Sequence, residues 1–221
     1  MPAEGPLRHR LGPDDRLIET MGYAPRKGVA RAELHLDRLE RSAKALYFAF
    51  NRMGAIGALR HFAKGPQPLR VRFTLGSGGD LDVTTAPFEA APAGTVWRLA
   101  VAVTRLDSAD GLLAHKTTKR DIYAAARREF AADAADEVLL LNERGEVCEG
   151  TITNVFADMG DAALATPPLT SGLLPGVLRQ ELLEAGRAVE RVLTPDDLRA
   201  AKSLFVGNSL RGLIAARLDE R

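Results

Sequence analysis

The stretch Asn142-Glu-Arg-Gly-Glu-Val-Cys-Glu149-Gly150-Thr-Ile-Thr-Asn154-Val-Phe156 decides how this chain is read. Just before it, Glu137-Val-Leu-Leu-Leu141 is a short apolar run of the length and composition of a buried strand, and Asn142-Glu-Arg-Gly145 has the residues of a tight turn. The return strand carries Glu149, which alternation directs away from Cys148. Working outward toward the C terminus, the pattern predicts strands at 152–157 and 162–165, a helix at 176–187 and a strand at 188–193. A short helix at 195–200 and a strand at 202–207 follow. Strands that double back, with helices between them, indicate an α+β fold.

Toward the N terminus, a helix is expected over about 119–131, preceded by Leu112-Leu-Ala114-His-Lys116-Thr-Thr-Lys-Arg120, in which Lys116 would emerge from an apolar strand end. Extended segments are expected at 69–76, 80–86 and 96–104, the first two joined through Ser77-Gly-Gly79 as a hairpin. Leu34, Leu36, Leu39, Ala43, Leu46 and Tyr47 recur near the 3.6-residue period, which predicts a helix over 33–50 with Arg38 and Arg41 flanking its stripe. A second helix is expected at 54–64, and a short strand at Arg16–Met21 after a Pro-, Gly- and Arg-rich arm. The expected organisation is two α+β lobes, 1–108 and 109–221, the second carrying Lys116.

Charged residues make up 27% of the chain and nearly cancel, at +1, without a long run of either sign, so no nucleic acid or anionic membrane is indicated as partner. The lone Cys148 cannot form an internal disulfide and reads as a packed strand thiol. His9, His35, His61 and His115 lack the spacing of zinc ligands, so no metal is expected. No run of about 18 apolar residues occurs, and the start lacks the apolar core of an export signal. A soluble cytoplasmic protein is the expectation.

Three groups of residues carry candidate chemistry. Lys116, with Lys119, Arg120 and His115 nearby in sequence, is either a solvated residue opening a basic helix or an amine whose proton affinity is lowered for attack on an aldehyde. Glu149 either pairs with Arg144 on a hairpin or presents a carboxylate to a buried pyridine nitrogen, with Gly150 permitting close approach and Asn154 bracing the carboxylate or nearby backbone. The run Thr170-Ser-Gly-Leu-Leu-Pro175-Gly176-Val-Leu-Arg179 is a glycine-rich turn entering a helix, which is either an ordinary helix start or a phosphate cradle. Arg38 could add fixed charge to that phosphate or form a surface salt bridge, and Asn208-Ser209 at a strand end could cap a turn or donate to phosphate. An amine, an acid and a phosphate cradle are together what pyridoxal phosphate needs.

In their order and spacing, these motifs resemble the class IV aminotransferase family, the fold-type IV pyridoxal-phosphate enzymes, from Leu17 to about Leu218. His115-Lys-Thr-Thr-Lys-Arg120, the 142–156 stretch and Asn208-Ser-Leu-Arg-Gly212 look most like its aminodeoxychorismate lyase branch. The resemblance implies a two-lobed fold of the D-amino-acid aminotransferase type. It also implies pyridoxal 5'-phosphate as cofactor and a homodimer. By position it puts the Schiff-base lysine on Lys116, the ring-nitrogen carboxylate on Glu149, and phosphate contacts on Arg38, the amides of Val177 and Leu178, and Ser209. Arg120, Asn208 and Arg211 fall on substrate-side positions. Relatives ordinarily carry about two further strands before the Phe-Glu-Thr-like strand, whereas here Asp14-Asp-Arg-Leu-Ile-Glu-Thr20 starts almost at once, so a shortened N-terminal lobe is expected. Gly22 stands where many relatives carry an arginine.

The implied reaction is cleavage of 4-amino-4-deoxychorismate to 4-aminobenzoate and pyruvate, a step toward folate. Alternatives are a class IV transaminase of D-amino or branched-chain acids, and a non-catalytic relative that binds pyridoxal phosphate. An unrelated α+β binding module would be colourless and indifferent to added pyridoxal phosphate.

Overall fold

The structure is a computed structural model that describes residues 7–219. It forms two compact units, one taking the chain through Ala90 together with His115–Lys119, the other Ala91–Ala114 and the chain from Arg120 onward. The chain therefore passes between units three times, at 90/91, 114/115 and 119/120, rather than once near 108.

In the first unit, strands β1 (Leu17–Ala24), β2 (Gly28–Val29), β3 (Leu69–Leu75) and β4 (Leu81–Pro87) form an antiparallel sheet in the order β2-β1-β3-β4. Alternation in β3 buries Leu69, Val71, Phe73 and Leu75. Helices α1 (Ala32–Ala45) and α2 (Arg52–Phe62) supply Leu36, Ala55 and Leu59 to the same core. Two expectations are corrected here. The first helix stops at Ala45 instead of 50, because Tyr47 takes a left-handed backbone with φ of 57° and leaves the apolar stripe half exposed, at 50%. Arg38 lies within the buried face rather than beside it, which requires a buried partner for its charge.

The second unit holds β5 (Val96–Leu106), α3 (Asp121–Arg128), β6 (Glu137–Asn142), β7 (Val147–Gly150), β8 (Asn154–Asp158) and β9 (Leu164–Thr166). Then come α4 (Val177–Glu184), β10 (Ala188–Glu190), α5 (Pro195–Ala200), β11 (Ser203–Asn208) and β12 (Gly212–Leu218). The strands form one sheet in the order β10-β9-β8-β11-β12-β5-β6-β7. Leu139 and Leu141 enter one apolar cluster while Val138 and Leu140 enter another, so β6 is buried on both faces.

The connection from β7 to β8 shows that this sheet is curled. Five strand spacings separate them in the sheet order, about 24 Å if flat, whereas four steps from Gly150 to Asn154 span at most about 14 Å. The sheet bends so that this edge returns toward β8, and Gly150 N donates to Thr153 O at 2.8 Å.

Strand β12 was not expected. Its Gly-Leu-Ile-Ala-Ala-Arg-Leu sequence is weak in strand formers, and it is held by parallel pairing to β5 and antiparallel pairing to β11. The expected strand end at 112–114 is instead a 3₁₀ turn, Gly111–Ala114, whose Leu112 N donates to Asp110 Oδ1.

Candidate active site

In the first unit, Lys116 is held by its backbone. Ile18 N donates to Lys116 O at 2.8 Å, Thr118 N donates to Arg16 O at 2.9 Å, and Thr117 bridges Leu17, so the 116–118 segment lies as an added edge on β1. Arg16 N also donates to Thr118 Oγ1. This fixes where the half-buried lysine leaves the backbone. Beside it, His115 Nδ1 lies 3.0 Å from Ser42 Oγ, and burial lowers the ring's pKa and favours its neutral form.

One residue further along β1, Glu19 is buried at 2% exposure against α1. Arg38 donates from Nε to Glu19 Oε1 at 2.7 Å and from Nη2 to Oε2 at 2.5 Å. His35 Nδ1 lies 2.6 Å from Oε2, so it is the donor when the acceptor is a carboxylate. Burial would raise the Glu19 pKa, but the Arg38 charge and the His35 hydrogen bond outweigh it and bring it down to about 2. Adjacent residues of one strand thus anchor Lys116 and Arg38.

In the second unit, Glu149 on β7 is 4% exposed, and Tyr123 of α3 donates its hydroxyl to Glu149 Oε1 at 2.6 Å. The hairpin alternative does not occur, since Arg144 pairs with Glu143 and Glu146. Burial, reinforced by the Glu149 charge, raises the Tyr123 pKa, so the phenol stays a donor. The Arg120 guanidinium lies 4.4 Å from the Tyr123 ring centroid and donates to Thr151 O. Cys148 is a buried thiol pushed up to about 12, by burial first and then the neighbouring acids, consistent with a packed strand residue.

The segment 151–153 after Gly150 is tightly held. Buried Glu137 accepts from Thr151 N, Thr151 Oγ1, Ile152 N and Thr153 Oγ1, and Asn208 Nδ2 donates to Ile152 O at 3.2 Å. Asn208 Oδ1 accepts from the amides of Leu210 and Arg211, which shapes the β11–β12 turn. Ser209 is buried in that turn, and the exposed Arg211 places its guanidinium 5.7 Å from the Trp97 ring centroid.

Helix α4 starts after Gly176, where no side chain caps it, and Val177 and Leu178 open its first turn. A Cβ on Gly176 would fall 1.8 Å from Asn154 Oδ1, and Asn154 Nδ2 donates to Leu174 O. Asn154 therefore braces the turn before α4. A Cβ on Gly207 would meet Gly212 O at 2.8 Å and the Leu178 side chain at 2.9 Å, so the glycine lets the first turn of α4 lie against β11, two residues before Ser209. A helix start without a side-chain cap, beside a hydroxyl-bearing turn, suits a phosphate.

Residues 16–218 match the family described as amino-transferase class IV. The chain belongs to that family. Its members are enzymes that depend on pyridoxal phosphate, and the fold is that of fold-type IV. A Schizosaccharomyces pombe protein provisionally named an aminodeoxychorismate lyase is 33% identical over 186 residues, covering 80% of this chain and 79% of its own. The crystal structure of a Mesorhizobium loti protein provisionally named an amino-acid aminotransferase superposes with a TM-score of 0.90 at 52% identity, over 93% of this chain and 100% of its own. That of 4-amino-4-deoxychorismate lyase from Pseudomonas aeruginosa does so with a TM-score of 0.79 at 26% identity, over 94% and 84%.

The donor set fits the family's cofactor: a half-buried lysine, a buried carboxylate for a ring nitrogen, and a glycine-cleared helix start for a phosphate. Sequence reasoning overlooked Tyr123, Glu137, Glu19 and His35. For Glu19 a signal existed, since alternation sets it on the face of Leu17 and Met21. Among the described residues, no helix is long and apolar enough to cross a membrane.

Proposed function

We propose that this chain is a pyridoxal-phosphate lyase that cleaves 4-amino-4-deoxychorismate to 4-aminobenzoate and pyruvate, working in the cytoplasm as a homodimer on the route to folate. The observation that carries the reading is the likeness to the fission-yeast protein over 80% of this chain, supported by the likeness to the Pseudomonas enzyme.

Pyridoxal phosphate, when bound, supplies an electron sink for negative charge on the substrate's amine-bearing carbon. In this reading Lys116 Nζ would be the amine that holds the cofactor aldehyde and the base that takes the proton from that carbon. Protonated Nζ then returns a proton to the departing enolpyruvyl group, which becomes pyruvate, while the ring left behind becomes aromatic. Glu149 would hold the cofactor's ring nitrogen in its protonated form. Arg38, the Val177 and Leu178 amides and the Ser209 hydroxyl would be the groups that hold the phosphate. Arg120, Asn208 and Arg211 line the substrate side.

The test supplies aminodeoxychorismate and follows 4-aminobenzoate and pyruvate together. Equimolar products are expected, and Lys116→Ala should reduce turnover to background. A Lys116→Ala protein as active as wild type would end the assignment. A second reading, a transaminase of D-amino or branched-chain acids, is favoured by the 52% identity to the Mesorhizobium protein. An amino acid given alone would then convert the cofactor to its amine form, with loss of the visible band. Light scattering at the mass of two chains checks the dimer.

A further inference from the structure

We propose that Tyr123 is a positioning residue that fixes the Glu149 carboxylate for the cofactor's ring nitrogen, and that Arg120 fixes Tyr123 in turn. The inference rests on the reading of Glu149 as the ring-nitrogen partner. Glu149 stands on β7, a four-residue edge strand followed by the tightly held 151–153 segment, and a carboxylate can rotate about its last bond. The Tyr123 hydroxyl, 2.6 Å from Oε1, restricts that rotation. Tyr123 is itself clamped, because the Arg120 guanidinium covers its ring at 4.4 Å and is tied to Thr151 O, two residues beyond Glu149. Arg120, Tyr123, Glu149 and Thr151 therefore close a loop of contacts joining α3 to the end of β7.

The test uses apoprotein titrated with two ligands: pyridoxal 5'-phosphate, and its 1-deaza analogue with carbon in place of the ring nitrogen. Tyr123→Phe should weaken pyridoxal phosphate about tenfold, the effect of one lost charge-assisted hydrogen bond, and leave the analogue's affinity unchanged. Glu149→Gln should show the same selectivity. A fold defect would weaken both ligands alike, and circular dichroism identifies it. If Tyr123→Phe does not fold, Arg120→Gln keeps the hydroxyl but removes the clamp, and the same selective loss is expected. Should Glu149→Gln be selective while the position-123 or position-120 variant affects both ligands equally or neither, the inference is overturned. If Glu149→Gln itself shows no selectivity, the reading of Glu149 fails, and the inference with it.

Discussion

Glu19 shows how one side chain can be exposed by a pattern and still have its partners hidden. Alternation in β1 sets it between Leu17 and Met21 on the face that α1 covers, so its burial was readable from the strand alone. That His35 and Arg38 meet it was not readable, because the helix could have rotated to present another face. Glu19→Gln strips the buried Arg38 of its counter-charge and should cost about 3–5 kcal/mol in denaturant unfolding at pH 7. The folded-state pKa is depressed, from an ordinary value of 4.5 to about 2, so the stability due to ionised Glu19 is complete above 4.5 and is lost as pH falls toward 2. The wild-type and Glu19→Gln unfolding free energies should therefore converge across that window. Tyr123 is the opposite case. Its spacing from Lys116 carried no signal, and only the meeting of α3 with β7 turns an ordinary helix tyrosine into the donor to Glu149.

The start of α4 depends on two glycines contributed by different parts of the chain. Gly176 is adjacent to the helix and was legible as part of a glycine-rich turn. Gly207, on β11, looked like any strand glycine, and its need for a bare Cα comes from the Leu178 side chain and the Gly212 carbonyl packed against it. Gly207→Ala puts a methyl group against backbone that cannot yield without shifting β11 from β12, and about 1–3 kcal/mol of destabilisation is expected in urea unfolding. Pyridoxal phosphate affinity should fall in the same variant, since α4 and the Ser209 turn would move apart. A loss of stability with affinity intact would separate the glycine's packing role from the phosphate site. The same long-range dependence explains why β12 escaped notice. A segment with two alanines and an arginine becomes a strand because β5 and β11 offer it unpaired backbone on either side.

At the scale of the second unit, the curled sheet is fastened at the β7–β8 connection by Glu137, whose carboxylate takes four donors from residues 151–153. Glu137→Ala removes the acceptor of the Ile152 amide and of the Thr151 and Thr153 hydroxyls, while Thr151 N keeps the Val138 carbonyl, and should destabilise the protein by about 3 kcal/mol, measured by denaturant unfolding of the apoprotein. Glu137 heads an apolar run and gave no local sign of this task. By itself the sequence determined the α+β class, most helices and strands, and the motifs of the family, because hydrophobic periodicity and turn chemistry act over neighbouring residues. Tertiary structure alone decided which partner each buried charge takes, where β12 inserts, and how Glu149 is aimed. Those outcomes depend on surfaces brought together from distant parts of the chain, and a buried charge is stable only where such a surface supplies its opposite or its hydrogen bonds.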